Sequence, residues 1–242
     1  MNYLPLFARV RDLPCLVVGG GAVATRKVRQ LLRAGAAVTV HATEVADELR
    51  ALSVEQKFEV VERPFTPESV GAYQLIVAAT DVPAVNAEVA RACSEAQRFC
   101  NVVDDRVASS AIMPAVVDRS PVTVAVSTGG AAPVLATQIR QLLEEQLPAR
   151  LGALAEFMDR WREPVKTRVA DFDQRRDLWQ AILDGPIGQH VLDGQTEAAD
   201  ALLEAQLANE PPARGEALLV GAGPGDPELL TLKAARALRT AD

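Results

Sequence analysis

Three glycines stand together at 19–21 and are followed by alanine, valine and alanine, so Gly19, Gly21, Ala22, Val23 and Ala24 lie on a G-x-G-x-x-A pattern. The spacing suits a backbone that turns sharply, comes close to a pyrophosphate and opens a helix whose free amides favour negative charge. A sheet-to-helix turn with no ligand is the other reading of these residues. Context favours the cradle: the apolar run at 15–18 reads as a strand, and Val23, Val28, Leu31 and Leu32 follow at near-helical spacing until Gly35. A second glycine stretch, LLVGAGPGDPELLTLK, occupies 218–233.

The elements around the first motif repeat in a simple order. Strand-like runs at 37–42, 58–62, 74–80 and 99–103 alternate with a helix near 45–52 and another from Pro83 to about residue 97. Five strands joined mostly by helices predict an α/β chain with a doubly wound, Rossmann-like parallel sheet, because parallel neighbours need crossover connections. Ligands of such sheets gather beyond the carboxyl ends of the strands, here the loops opening at Gly19, His41, Thr80 and Asp104. After Asp105 the pattern changes to two strand-like runs, 110–117 and 122–128, around the turn signal at 118–121. Pro133 suits a first helical turn, with Val134, Leu135, Ile139, Leu142 and Leu143 as an apolar stripe. Residues 151–207 read as helical, with interruptions at Pro164 and at 184–186, and 209–215 (NEPPARG) reads as a linker.

The totals set limits on the chemistry. Apolar content of 49% and charged content of 24% describe an ordinary globular chain, and a net charge of −7 supplies no general field for nucleic acid. An acidic substrate would have to find its cations locally. The three cysteines form no CxxC, which suggests neither a disulfide framework nor a sulfur-ligated zinc site and fits a reducing cytoplasm. No secretion signal and no membrane span are expected.

At the end of the second strand, the acid that would bind the ribose hydroxyls is replaced by His41, with Glu44 three residues on. No arginine adjoins His41 to hold a 2'-phosphate, so NAD is preferred to NADP. Asp81 can face the cofactor or cap the helix at Pro83. Ser127, Thr128 and Gly129 read either as an anion nest or as a glycine turn with a helix cap. Arg26, Lys27, Arg29 and Arg140 are nearby cations that are either solvated or ligand-bound, and His190 reads as a surface or packing residue. No cluster has metal-ligand spacing, so no permanent metal is expected.

Taken together, VVGGGAVATRK, VAATD at 77–81, FCNVVDD at 99–105, IMPAVVDRSPVTVAVSTGGAAPVLA at 112–136 and the opening LPLF closely resemble siroheme synthase, and within it the precorrin-2 dehydrogenase/sirohydrochlorin ferrochelatase module. The resemblance implies NAD-dependent oxidation of precorrin-2, a tetrapyrrole with eight carboxylates, to sirohydrochlorin, followed by insertion of ferrous iron as a substrate. It assigns the catalytic carboxylate to Asp104, with iron passing near it and Asp105 a weaker substitute. Asp104 also falls at the carboxyl end of the fifth strand, where a nicotinamide should lie, although a strand-end turn or cap is the bland alternative. The resemblance further implies that Ala22, Val23, Thr43, Glu44, Thr80 and Asp81 line the cofactor pocket. Ser127, Thr128 and Gly129 would meet a substrate carboxylate, Thr128 standing where the family often has serine. It implies a cytoplasmic homodimer. The expected division is an NAD-binding domain at 1–110, dimerisation strands and helix at 111–147, a helical domain at 148–208, a linker at 209–214 and, at 215–242, the incomplete start of a uroporphyrinogen-III methyltransferase domain. Pro224 would contribute to S-adenosylmethionine binding in a complete domain of that kind, and methyltransferase activity is not expected from these 242 residues. A dehydrogenase-only enzyme and a non-catalytic nucleotide- or tetrapyrrole-binding regulator are the alternatives.

Overall fold

The computed structural model describes residues 3–208 and, beyond them, 219–221, 225, 230, 231, 234 and 238. Pro224, the linker at 209–214 and most of 215–242 lie outside the described residues. Two compact units are present, Met1–Gly152 and Ala153–Asp242.

The first unit is built on a five-stranded parallel sheet. Its strands are β1 (Pro14–Val18), β2 (Ala37–His41), β3 (Glu59–Val61), β4 (Leu75–Ala78) and β5 (Phe99–Val102), in the order β3-β2-β1-β4-β5. Alternate side chains serve two cores, as strand geometry requires when both faces are covered. Cys15 and Val17 pack with Val38, Val40 and Leu49 on one face, while Leu16 and Val18 pack with Ile76, Val89 and Cys100 on the other. Helices α1 (Ala22–Arg33), α2 (Asp47–Gln56) and α3 (Pro83–Glu95) make the crossovers, with a 3-10 turn at Pro67–Ala72. Strand order reverses between β1 and β4, so the loops at Gly19 and Thr80 flank the switch point where such sheets bind ligands.

Beyond β5 the chain first protects the sheet edge. The Ser109 and Ser110 hydroxyls accept the Val102 and Cys100 amides at 2.8 Å, and the Ala111 amide donates to the Cys100 carbonyl at 2.9 Å. This use of 109–111 explains why the expected strand at 110–117 begins later, as β6 (Ala115–Arg119), antiparallel to β7 (Val122–Val126). Helix α4 (Pro133–Gln146) follows, and Arg119 binds it through the Glu144 carbonyl at 3.2 Å. Along α4, Ile139 and Leu143 are half-buried, whereas Val134, Leu135 and Leu142 are exposed.

Helix α5 (Leu151–Arg168) begins at the end of this unit and continues into the second, which also contains α6 (Phe172–Asp184), α7 (Pro186–Leu192) and α8 (Thr196–Ala208). The interruption expected at Pro164 does not occur, because α5 runs through it. The lost amide bond is offset by burial of Phe157 and Val165, and Arg160 and the Trp161 indole both donate to Asp200 on α8, at 2.7 and 2.6 Å. The break falls instead before Asp171, whose carboxylate accepts the Gln174 amide at 2.9 Å as the cap of α6. Among the described residues, no helix is long and apolar enough to cross a membrane.

Candidate active site

The glycines of the first loop have unequal duties. Gly19 has φ +127° and its amide donates to the His41 carbonyl at 2.8 Å; a Cβ there would stand 2.3 Å from the Ala79 oxygen. At Gly20 a Cβ would stand 1.9 Å from the Glu44 oxygen. These two glycines let β1, β2 and β4 close upon one another. Gly21, the cap residue of α1, is different, because a Cβ there would meet nothing within 4 Å. No side chain caps α1 and no acid occupies its first turn, so the first amides of the helix, at Ala22, Val23 and Ala24, have no side-chain acceptor at its positive end. An open glycine beneath free amides fits a dinucleotide pyrophosphate.

The adjoining segments close around this loop. The Ala46 amide donates to the Gly20 carbonyl at 2.9 Å, which holds the backbone of Thr43 and Glu44 beside the glycines while both residues remain exposed. At the other side, the Thr80 hydroxyl donates to Asn86 Oδ1 at 2.8 Å and Asn86 Nδ2 donates to the Thr80 carbonyl at 2.9 Å. Asp81 is not the cap of α3. Val82 holds that position without a side-chain bond, and the exposed Asp81 carboxylate accepts no hydrogen bond from a described residue.

His41 is 3% exposed and its Nδ1 has no partner among the described residues. Burial pushes its pKa below the ordinary 6.5, the charge of Arg63 adds to this, and Glu59 opposes it. His41 is therefore neutral at pH 7 and unsuited to donating charge. Arg63, just beyond β3, is a cation near His41 that sequence adjacency did not reveal. An unfolded chain takes up this proton as pH falls through about 6.5, while the folded chain resists it. Stability should thus decline from about pH 6.5 downward and level off below the depressed folded value. Urea melts across this range should show a flatter profile for His41→Asn than for the parent.

At the end of β5, two adjacent aspartates have separate fates. Asp105 Oδ1 accepts the amides of Val107 and Ala108 at 2.9 and 3.0 Å, and the Asp105 carbonyl accepts the Ser109 hydroxyl at 2.6 Å. Asp105 is committed to the turn. Asp104 is exposed, accepts no hydrogen bond from a described residue, and has φ +62°, a region costly for a side-chain-bearing residue. Its charge reaches Lys27 of α1, a half-buried ammonium whose pKa is lowered by burial and by Arg26, with Asp104 opposing. A free carboxylate held at the sheet edge can accept a proton from a molecule lying there.

The glycine loop after β7 is both turn and cap. Ser127 Oγ accepts the Gly129 amide and Thr128 Oγ1 accepts the Ala132 amide, each at 3.1 Å, which leaves the hydroxyl protons available to an anion. Arg140 is tied to Glu144 on its own helix, and Arg29 pairs with Glu48 at 2.8 Å. The cation lying against this loop is Arg106, which the sequence did not single out. His190 Nδ1 meets Gln195 Oε1 within the second unit. Cys15, Cys93 and Cys100 are free and buried. Among the described residues, no three His, Cys, Asp or Glu side chains converge as metal ligands.

The strand order, the switch point and the open cradle at Gly21 define a Rossmann-like dinucleotide-binding protein. In agreement, residues 6–115 match an NAD(P)-binding family; 119–146 match the sirohaem biosynthesis protein central family, 150–207 the sirohaem synthase dimerisation region, and 218–242 the tetrapyrrole (corrin/porphyrin) methylases. Over its whole length the chain is a homologue of the siroheme synthases. It is 47% identical to siroheme synthase 3 of Aeromonas hydrophila and 45% identical to siroheme synthase of Actinobacillus pleuropneumoniae, covering 100% of this chain and 52% and 50% of theirs. The chain thus spans about half the length of these curated relatives. Its fold is also that of SirC, precorrin-2 dehydrogenase, with TM-score 0.67 at 22% identity over 84% of this chain and 100% of the other.

Proposed function

We propose that the chain oxidises precorrin-2 to sirohydrochlorin with NAD and then inserts ferrous iron to give siroheme, both steps at Asp104. The reading rests chiefly on the division of labour between Asp104 and Asp105, which leaves the Asp104 carboxylate unengaged at the carboxyl end of β5. Bound NAD supplies the hydride acceptor for the oxidation. Gly19, Gly21, Ala22, Val23 and Ala24 would hold its pyrophosphate through backbone, with Thr43 and Glu44 at the adenosine end and Thr80 and Asp81 lining the opposite wall. Asp104 removes the proton that accompanies hydride loss and later accepts pyrrole protons as iron enters. Ser127, Thr128 and Gly129 would meet a peripheral carboxylate. Arg63 near His41 would favour NADP, so KM values for the two nucleotides decide between them.

We infer further that the chain works in the cytoplasm as a homodimer, for which the exposed Val134, Leu135 and Leu142 offer apolar surface. S-adenosylmethionine and Pro224 belong to this proposal only through a complete methyltransferase domain. The test is anaerobic absorption spectroscopy with precorrin-2 and NAD, followed by ferrous iron. Successive sirohydrochlorin and siroheme spectra support the reading. Sirohydrochlorin alone indicates a dehydrogenase-only enzyme, and nucleotide and tetrapyrrole binding without turnover indicates a regulator.

A further inference from the structure

Three segments distant in sequence meet beside Asp104. The Tyr3 hydroxyl donates to the Arg106 carbonyl at 3.4 Å, and the Tyr3 ring lies 3.7 Å from where a Gly129 Cβ would be. The aliphatic stem of Arg106 lies along Gly130, with its Cβ, Cδ and Cγ at 3.2, 3.6 and 4.0 Å from the position of a Gly130 Cβ. A side chain at 130 would displace that stem. The Asp105 turn fixes the backbone on which Arg106 stands. Arg106 is exposed, and its guanidinium has neither an ion pair nor a hydrogen bond with any described residue. Arg29, Arg119 and Arg140 are all engaged by carboxylates or carbonyls, so Arg106 differs from them in being supported along its stem and free at its tip.

We infer that Arg106 is the substrate anchor of the site: its guanidinium binds a peripheral carboxylate of the tetrapyrrole and thereby sets the macrocycle against Asp104, two residues away. The inference rests on the proposed tetrapyrrole chemistry. A guanidinium forks onto a carboxylate with two parallel hydrogen bonds, which orients as well as attracts. In a chain of net charge −7 no general positive field gathers a polycarboxylate, so a local cation must hold it. Both macrocycles carry the same peripheral carboxylates, so Arg106 serves oxidation and chelation alike.

The test measures steady-state kinetics of the 242-residue chain with precorrin-2 and with sirohydrochlorin, alongside NAD titration and thermal melting. Arg106→Ala and Arg106→Gln are expected to raise KM for both tetrapyrroles about tenfold, leave kcat within about twofold, and leave NAD affinity and Tm unchanged. Arg106→Lys should recover only part of the affinity, because it restores the charge without the fork. Unchanged tetrapyrrole KM in Arg106→Gln, with a parent chain that turns over normally, overturns the anchor and leaves the proposed function intact. A parent chain that neither binds nor oxidises precorrin-2 overturns the proposed function, and the anchor with it.

Discussion

Asp104→Ala is expected to slow precorrin-2 oxidation by about 10²–10⁴-fold, the range for removing a positioned general base, with NAD affinity nearly unchanged. Iron insertion should fall with it, since one carboxylate serves both steps. The backbone adds a second and less usual expectation. Asp104 has φ +62°, where glycine has no steric penalty, so Asp104→Gly should raise stability by about 0.5–1 kcal/mol while abolishing turnover. Loss of activity with gain of Tm would mark the residue as kept for chemistry, against the interest of the fold. Asp105→Ala should do the opposite. It removes the acceptor for the Val107 and Ala108 amides and should destabilise the turn by about 1–2 kcal/mol, with any loss of rate following from displacement of Asp104.

The other large effect separates neighbouring glycines. Gly20→Ala would drive a methyl group into the Glu44 carbonyl, and backbone on both sides must move; a loss of about 3 kcal/mol or more is expected, lowering Tm by about 10 °C. Gly21→Ala meets no atom within 4 Å and should cost no more than about 1 kcal/mol, the preference of a cap position for glycine over alanine. Its methyl group would instead occupy the space of the pyrophosphate, and NAD affinity should fall at least about tenfold. Melting curves and nucleotide titrations on the two variants check this directly. Equal nucleotide affinity in Gly21→Ala and the parent would remove the cradle from the account.

The sheet was legible in the sequence because buried parallel strands are continuous apolar runs, and each of β1 to β5 falls within or beside its expected span. The loops at Gly19, Thr80 and Asp104 followed from the same reading, since a parallel sheet brings all its carboxyl ends to one edge. What stayed hidden depends on contacts between distant positions. No local pattern says that Arg106 lies along Gly130, that Arg63 acts on His41, or that Asn86 rather than Asp81 secures the turn before α3. Pro164 misled for a related reason, because the helix through it is held by Asp200 on another element. The resemblance had already put the chemistry on Asp104 rather than Asp105; the amides that Asp105 accepts supply the physical reason.

The most direct measurement counts nucleotide reduced against tetrapyrrole formed, anaerobically and without iron, in the parent chain and in Asp104→Ala. One NADH for each sirohydrochlorin in the parent, and neither product at a comparable rate in the variant, is the predicted result. Sirohydrochlorin formed without NADH, or undiminished turnover in Asp104→Ala, would contradict an NAD-dependent site built around that carboxylate.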